Sequence, residues 1–236
     1  MAERRTYGSY NDGCAAAHAL DLIGDRWTMI VVRELLLGPK RFVDLQRDIL
    51  GIGPTVLTRR LQELVASGVA RRQRGHRPVR TAFYELTPWG HGLEGVNAAL
   101  ASWAVVSPAL PWDADMSPDT LMLTMRAHAR ARTDAGPPVS VGLLLTDSRH
   151  TPVPDPVPYL ASMTATATTL SRASDLSGTS ATLAVGTRHL KAAVLTGAGL
   201  SPASDAVLEG DIDAVELLLE LTRLHPAPSG VTVTTE

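Results

Sequence analysis

Pro54-Thr-Val-Leu-Thr-Arg-Arg-Leu-Gln-Glu-Leu-Val-Ala-Ser67 is the stretch on which the fold turns. Proline suits the first position of a helix, where its missing N–H is not needed, and Gly68 supplies a stop. Between them Leu57, Leu61, Leu64 and Val65 form one apolar stripe. Thr55, Thr58, Arg59 and Gln62 recur at i, i+3, i+4 and i+7 on nearly the opposite face. One face is therefore built to pack. The other presents hydroxyl, guanidinium and amide groups, the donors and acceptors that read base edges and phosphates.

Working outward, Val69–Arg74 and Val79–Leu86 read as two strands around the turn Gly75-His-Arg-Pro78, a hairpin whose tip is cationic through Arg74, Arg77 and Arg80. Thr87 then caps a helix with Pro88 at its first position, continuing through Leu93, Val96, Leu100 and Trp103 to Ser107. Upstream, Cys14–Ile23 is a helix ended near Gly24. Asp25 is the expected cap of a second helix, Trp27–Leu37, in which Glu34 breaks the apolar pattern. Arg41–Ile49 is a third, with Phe42, Leu45 and Ile49 at i, i+3 and i+7. Helix, short turn, helix and basic hairpin make a winged helix-turn-helix, whose second helix enters the major groove of duplex DNA. Arg59 is the candidate for bidentate guanine recognition, Thr55, Thr58 and Gln62 for bases or phosphates, and Arg74, His76, Arg77 and Arg80 for the phosphate backbone.

Charge and composition agree with two domains. Residues 1–112 carry 14 Lys and Arg against 10 Asp and Glu, whereas 113–236 carry 8 against 14, so a basic half sits on a chain of net charge −2. Tyr159 is the one aromatic residue after 112. Ser107–Pro118 holds prolines 108, 111 and 118, which cannot continue a helix and read as the linker between domains 1–112 and 113–236. No apolar run reaches the roughly 18 residues of a membrane span, and no signal-peptide stretch opens the chain, so the expected location is cytoplasmic.

The combination of Cys14, Leu22-Ile-Gly-Asp-Arg-Trp27, Arg41-Phe42 with Asp44-Leu45, Leu57-Thr-Arg-Arg-Leu-Gln-Glu-Leu64 with Gly68, Tyr84-Glu-Leu-Thr-Pro-Trp-Gly90 and Trp103 resembles the HxlR-type transcriptional regulators, relatives of the MarR group. The resemblance spans about residues 7–107. It implies a homodimeric DNA binder, repressor activity being the reading for this chain, with Cys14–Ile23 and Pro88–Ser107 as the interface helices. Here Ala15 follows the cysteine where that family usually has proline, and Gly53-Pro54 replaces its usual serine.

The second half reads as α+β without any analogy. Val139–Thr146 and Tyr159–Leu170 are expected strands, and Asp211 or Asp213 caps a helix containing Val215, Leu218, Leu219 and Leu221. Its segments Ser180–Gly197, Leu200–Ala206 and Glu209-Gly-Asp211 resemble the C-terminal part of sterol-carrier-like domains, which implies a cavity for a small apolar ligand. Leu121, Met125, Leu143, Leu145, Met163, Leu190 and Val194 are its candidate walls or ordinary core.

Catalytic signatures are lacking in the sequence: there is no GxSxG, HExxH or P-loop, Gly197-Ala-Gly199 reads as a turn, and the histidines form no ligand pair at helical spacing. A non-enzymatic protein with no cofactor and no metal is expected. Two alternatives stay open. Cys14, the single cysteine, is either a small interface residue or a thiol sensor that bridges to its dimer mate, which makes the regulator redox-responsive. The chain could also be a lipid carrier with a DNA-tethering domain.

Overall fold

In the computed structural model, which describes residues 9–74, 82–134, 136–197, 200 and 205–224, the chain divides into two units, Met1–Ala101 and Ser102–Glu236. The first begins with α1 (Ala15–Ile23), α2 (Thr28–Leu35), the two-residue strand β1 (Lys40–Arg41), α3 (Phe42–Asp48) and α4 (Pro54–Ala66). It continues with β2 (Ala70–Arg74), β3 (Ala82–Leu86), α5 (Pro88–His91) and α6 (Leu93–Ala104), whose last three residues fall past the division. The three strands form one antiparallel sheet in the order β1-β3-β2. Ala70 faces Leu86 at one end of the β2–β3 ladder and Arg74 faces Ala82 at the other.

The local signals act as expected at α4. Gly53 is extended, Pro54 opens the helix, and Gly68, at φ +77°, takes the left-handed conformation that ends it. Leu57, Leu61 and Leu64 are buried, and α4 packs against α2, whose Val31, Val32 and Leu35 are buried as well. Thr87 caps α5, its hydroxyl accepting the Gly90 N–H at 3.1 Å and donating to the Gly68 carbonyl at 2.8 Å.

Several expectations need correction. Trp27, not Asp25, is the N-cap of α2, and it makes no side-chain capping bond; the Asp25 carboxylate is engaged by Arg60 instead. Val65 lies at the solvent edge of its stripe, while Arg60 completes the buried face beside the leucines. The expected helix from Pro88 breaks at Gly92 into α5 and α6. Glu34 is fully buried yet matched: Lys40 Nζ donates to it at 2.7 Å and to Asp48 at 2.8 Å, so one ammonium ties α2, β1 and α3 together.

The second unit carries α7 (Pro118–Ala127), β4 (Val139–Thr146), β5 (Val157–Met163), β6 (Thr168–Arg172), β7 (Ala181–Gly186), α8 (Thr187–Thr196), β8 (Val207–Gly210) and α9 (Ile212–Thr222). Its sheet runs β6-β5-β4-β7-β8, with β4 and β7 parallel and every other pair antiparallel. α9 packs on β4 and β7, α7 on β6, and α8 lies against both helices. Leu121, Met125, Leu143, Leu145, Met163, Leu190 and Val194 are all fully buried in this layer. A polar lock crosses it: Asp119 accepts from the Tyr159 hydroxyl at 2.7 Å and from Arg172 at 2.7 and 2.9 Å.

The single strand expected over Tyr159–Leu170 is a hairpin. Thr164 reverses the chain: its hydroxyl accepts the Ala167 N–H at 3.0 Å, and its own N–H donates to the Ala167 carbonyl at 2.9 Å. No glycine or proline marks the turn, because a threonine hydroxyl stands in for a backbone partner. Asp211 caps α9, accepting from the Asp213 N–H at 3.0 Å. Among the described residues no helix is long and apolar enough to cross a membrane.

Candidate nucleic-acid interface

The side chains of Thr55, Thr58, Arg59 and Gln62 all lie on the solvent side of α4. Burial of Leu57, Leu61 and Leu64 leaves this face no other place. The Arg59 side chain is 71% exposed, and its Nε donates to Glu63 Oε1 at 2.9 Å, an i,i+4 pair on the helix surface. Such a pair is worth only a few tenths of a kcal/mol, so the guanidinium is held in an ordered position yet is readily released to a stronger acceptor.

Beside α4, which packs against β2, residues 71–74 of that strand are exposed and contain three arginines. Arg71 is drawn to Glu85 on the neighbouring strand at 2.7 Å. Strand alternation puts Arg72 on the same side as Arg74. Arg72 is the residue that reading the chain for its hairpin tip passes over; the period-two pattern of Val69–Arg74 carries the signal. His76, Arg77 and Arg80, the other expected phosphate contacts, lie outside the described residues.

Arg41 is not available in the same way. It forms a two-point contact with Asp44 at 2.6 and 2.7 Å. Those hydrogen bonds hold the Asp44 carboxyl below its ordinary range and push the Arg41 guanidinium further up.

Two helices of this region bury nothing of their own. Neither α1 nor α6 has a buried residue, although both are rich in apolar side chains. Leu20 is 53% exposed on α1, and Leu100 and Trp103 are 48% and 80% exposed on α6.

Cys14 is the N-cap residue of α1 and is exposed. The backbone N–H groups of Ala17 and, less strongly, Ala16 hold its thiol below the ordinary value. This is the effect expected of unsatisfied amides at a helix start. Among the described residues no three His, Cys, Asp or Glu side chains gather as a metal site. His189 is hydrogen-bonded to Asp205 at 2.7 Å.

Residues 22–107 match the HxlR-like helix-turn-helix family. The chain is 31% identical over 103 residues to the HTH-type transcriptional regulator YybR of Bacillus subtilis, a match covering 44% of this chain and 82% of that protein. It is 34% identical over 87 residues to the HTH-type transcriptional regulator YodB of the same organism, covering 36% of this chain and 77% of the relative. Among solved structures, the redox regulator HypR in its oxidized form is similar at 32% identity and a TM-score of 0.37, over 39% of this chain and 94% of that one.

Proposed function

The chain belongs to the HxlR-like helix-turn-helix family and is a transcriptional regulator of that type, and from this premise we propose that it acts as a homodimer whose paired α4 helices read an operator. Residues 1–112 are its DNA-reading and dimerising part. Residues 113–236 are a sterol-carrier-like part that takes a small apolar effector. The observation that carries the reading is the exposed face Thr55, Thr58, Arg59 and Gln62 on a helix whose opposite face is locked into the core.

Two-fold symmetry supplies two such helices, spaced for major grooves about one helical turn apart. The large apolar side chains that α1 and α6 leave exposed, Leu20, Leu100 and Trp103, support the dimer, because an interface would remove them from water. For the effector, support comes from the apolar layer between sheet and helices, where Met125 and Met163 supply adaptable side chains. Such a ligand controls DNA release only if it favours one spacing of the two α4 helices over another; tight binding alone shifts nothing.

Selection of duplexes from a randomised pool by the full chain tests the reading. Recovery of paired half-sites separated by about one turn is the expected result. Failure to enrich any sequence overturns it.

A second reading rests on Cys14 at the start of α1, where backbone amides favour the thiolate. Oxidation there would add redox control at the dimer helices. Diamide is then expected to lower affinity for the selected duplex, and Cys14→Ser to abolish the response. An unchanged response in Cys14→Ser removes this reading.

A further inference from the structure

The buried side of α4 carries a charge. Leu57, Arg60, Leu61 and Leu64 stand at i, i+3, i+4 and i+7, so Arg60 fills a place in the apolar stripe that a leucine or methionine would fill without losing hydration. It is 6% exposed. Its Nη1 donates to Asp25 Oδ2 and forms an ion pair with Glu63 Oε2 at 2.8 Å. Glu63 turns its other oxygen outward to receive the Arg59 Nε at 2.9 Å. A continuous chain of charge therefore runs Asp25–Arg60–Glu63–Arg59, from the turn below α1 to the exposed guanidinium.

The far end of this chain has little slack. Ile23 is the last residue of α1, Gly24 caps it by donating to the Leu20 carbonyl at 2.8 Å, and Asp25 follows directly. The Asp25 carbonyl in turn accepts the Thr28 N–H at 3.0 Å at the start of α2. A side chain on Gly24 would meet the Leu20 carbonyl, so this turn is held tight between two helices. A change in the attitude of α1 thus moves Asp25, and with it the buried anchor of α4.

We infer that Arg60 is the positioning residue of α4, and that its ion pair with Asp25 passes the attitude of α1 to the helix that carries Arg59. The inference rests on α4 being the DNA-reading helix. It assigns sequence discrimination in part to groups that touch no base. When Arg59 leaves Glu63 for a base edge, Arg60 remains to balance the carboxylate, which would otherwise repel the phosphates. Salt-bridge networks with two discrete arrangements are the kind of element that carries coupling between helices.

The test compares affinity of the full chain for duplexes that the wild type selects from a randomised pool with affinity for the unselected pool. Asp25→Asn is expected to lower that ratio about tenfold while affinity for the unselected pool stays within about threefold. Arg60→Met is expected to lower it as far. The double variant should be no worse than Arg60→Met, since both changes cut one chain. Arg60→Lys keeps a cation between the carboxylates and should restore part of the ratio. Asp25 is largely solvent-exposed, so its variant keeps the test alive if Arg60→Met fails to fold. An unchanged ratio in Asp25→Asn, or losses that multiply in the double variant, overturns the inference alone. A wild type that selects no sequence overturns the reading of α4 and the inference with it.

Discussion

Arg59 and Arg74 differ in what each guanidinium can do on DNA. Arg59 is ordered by Glu63 on a helix that fits the major groove, where two parallel N–H donors match the O6 and N7 of guanine. Arg59→Ala is expected to cost about 1–3 kcal/mol of discrimination at one base position. Titrations with single-base variants of the selected duplex check this; equal loss on selected and random duplexes contradicts it. Arg74 ends an exposed strand and is proposed to meet phosphates, so Arg74→Ala should weaken all duplexes alike and make the log-log salt slope shallower by about 0.9. A second residue-scale prediction concerns Lys40. Removing its ammonium in Lys40→Met leaves Glu34 and Asp48 buried with one fewer cation, at a cost of about 3–5 kcal/mol in urea unfolding. A loss below 1 kcal/mol would show that water or Arg33 and Arg47 take its place. The exposure of Thr55, Thr58, Arg59 and Gln62 was legible in the chain, because helical spacing alone assigns their face. The buried pairing of Glu34 with Lys40, an ammonium shared with Asp48, was not: the three lie on different elements, and only the packed fold joins them.

Elements in this chain begin and end mostly on local chemistry, and there sequence reading works well. Gly53-Pro54, Gly68 and Thr87-Pro88 each carry a stop or start that the backbone obeys. What escapes is whatever depends on a neighbour. Gly90 is the clearest instance: a Cβ on it would run into the Val69 carbonyl oxygen at the base of the hairpin. Nothing in Thr87–His91 announces this, since the contact is made by the residue just before β2, twenty-one positions earlier. Gly90→Ala is expected to lose about 1–3 kcal/mol from overpacking, read as a fall in melting temperature. Thr87→Ala, which removes the cap and the bond to the Gly68 carbonyl, should cost about 1 kcal/mol. If Gly90→Ala melts like the wild type, α5 can shift away from β2 without penalty. In the second unit the reversal after Met163 is local yet unmarked: Thr164 bonds Ala167 three residues on without glycine or proline, which leaves the pattern looking continuous.

At the scale of the whole molecule, the decisive quantity is how many phosphates one particle contacts. If Leu100 and Trp103 on α6 close the dimer together with Leu20 on α1, then a charge placed there should separate the subunits without touching α4. Leu100→Glu is expected to give a particle of half the mass in sedimentation, with a helical circular-dichroism spectrum like that of the wild type. One subunit carries half the contacts, so the slope of log affinity against log salt, about −0.9 for each phosphate neutralised, should fall by half. The selected duplex should also lose the advantage of its second half-site, because the two recognition helices no longer bind as one body. These three changes must occur together. A half-mass particle that keeps the full salt slope would place both sets of contacts on one subunit. A full-mass particle would show that α6 does not form the interface.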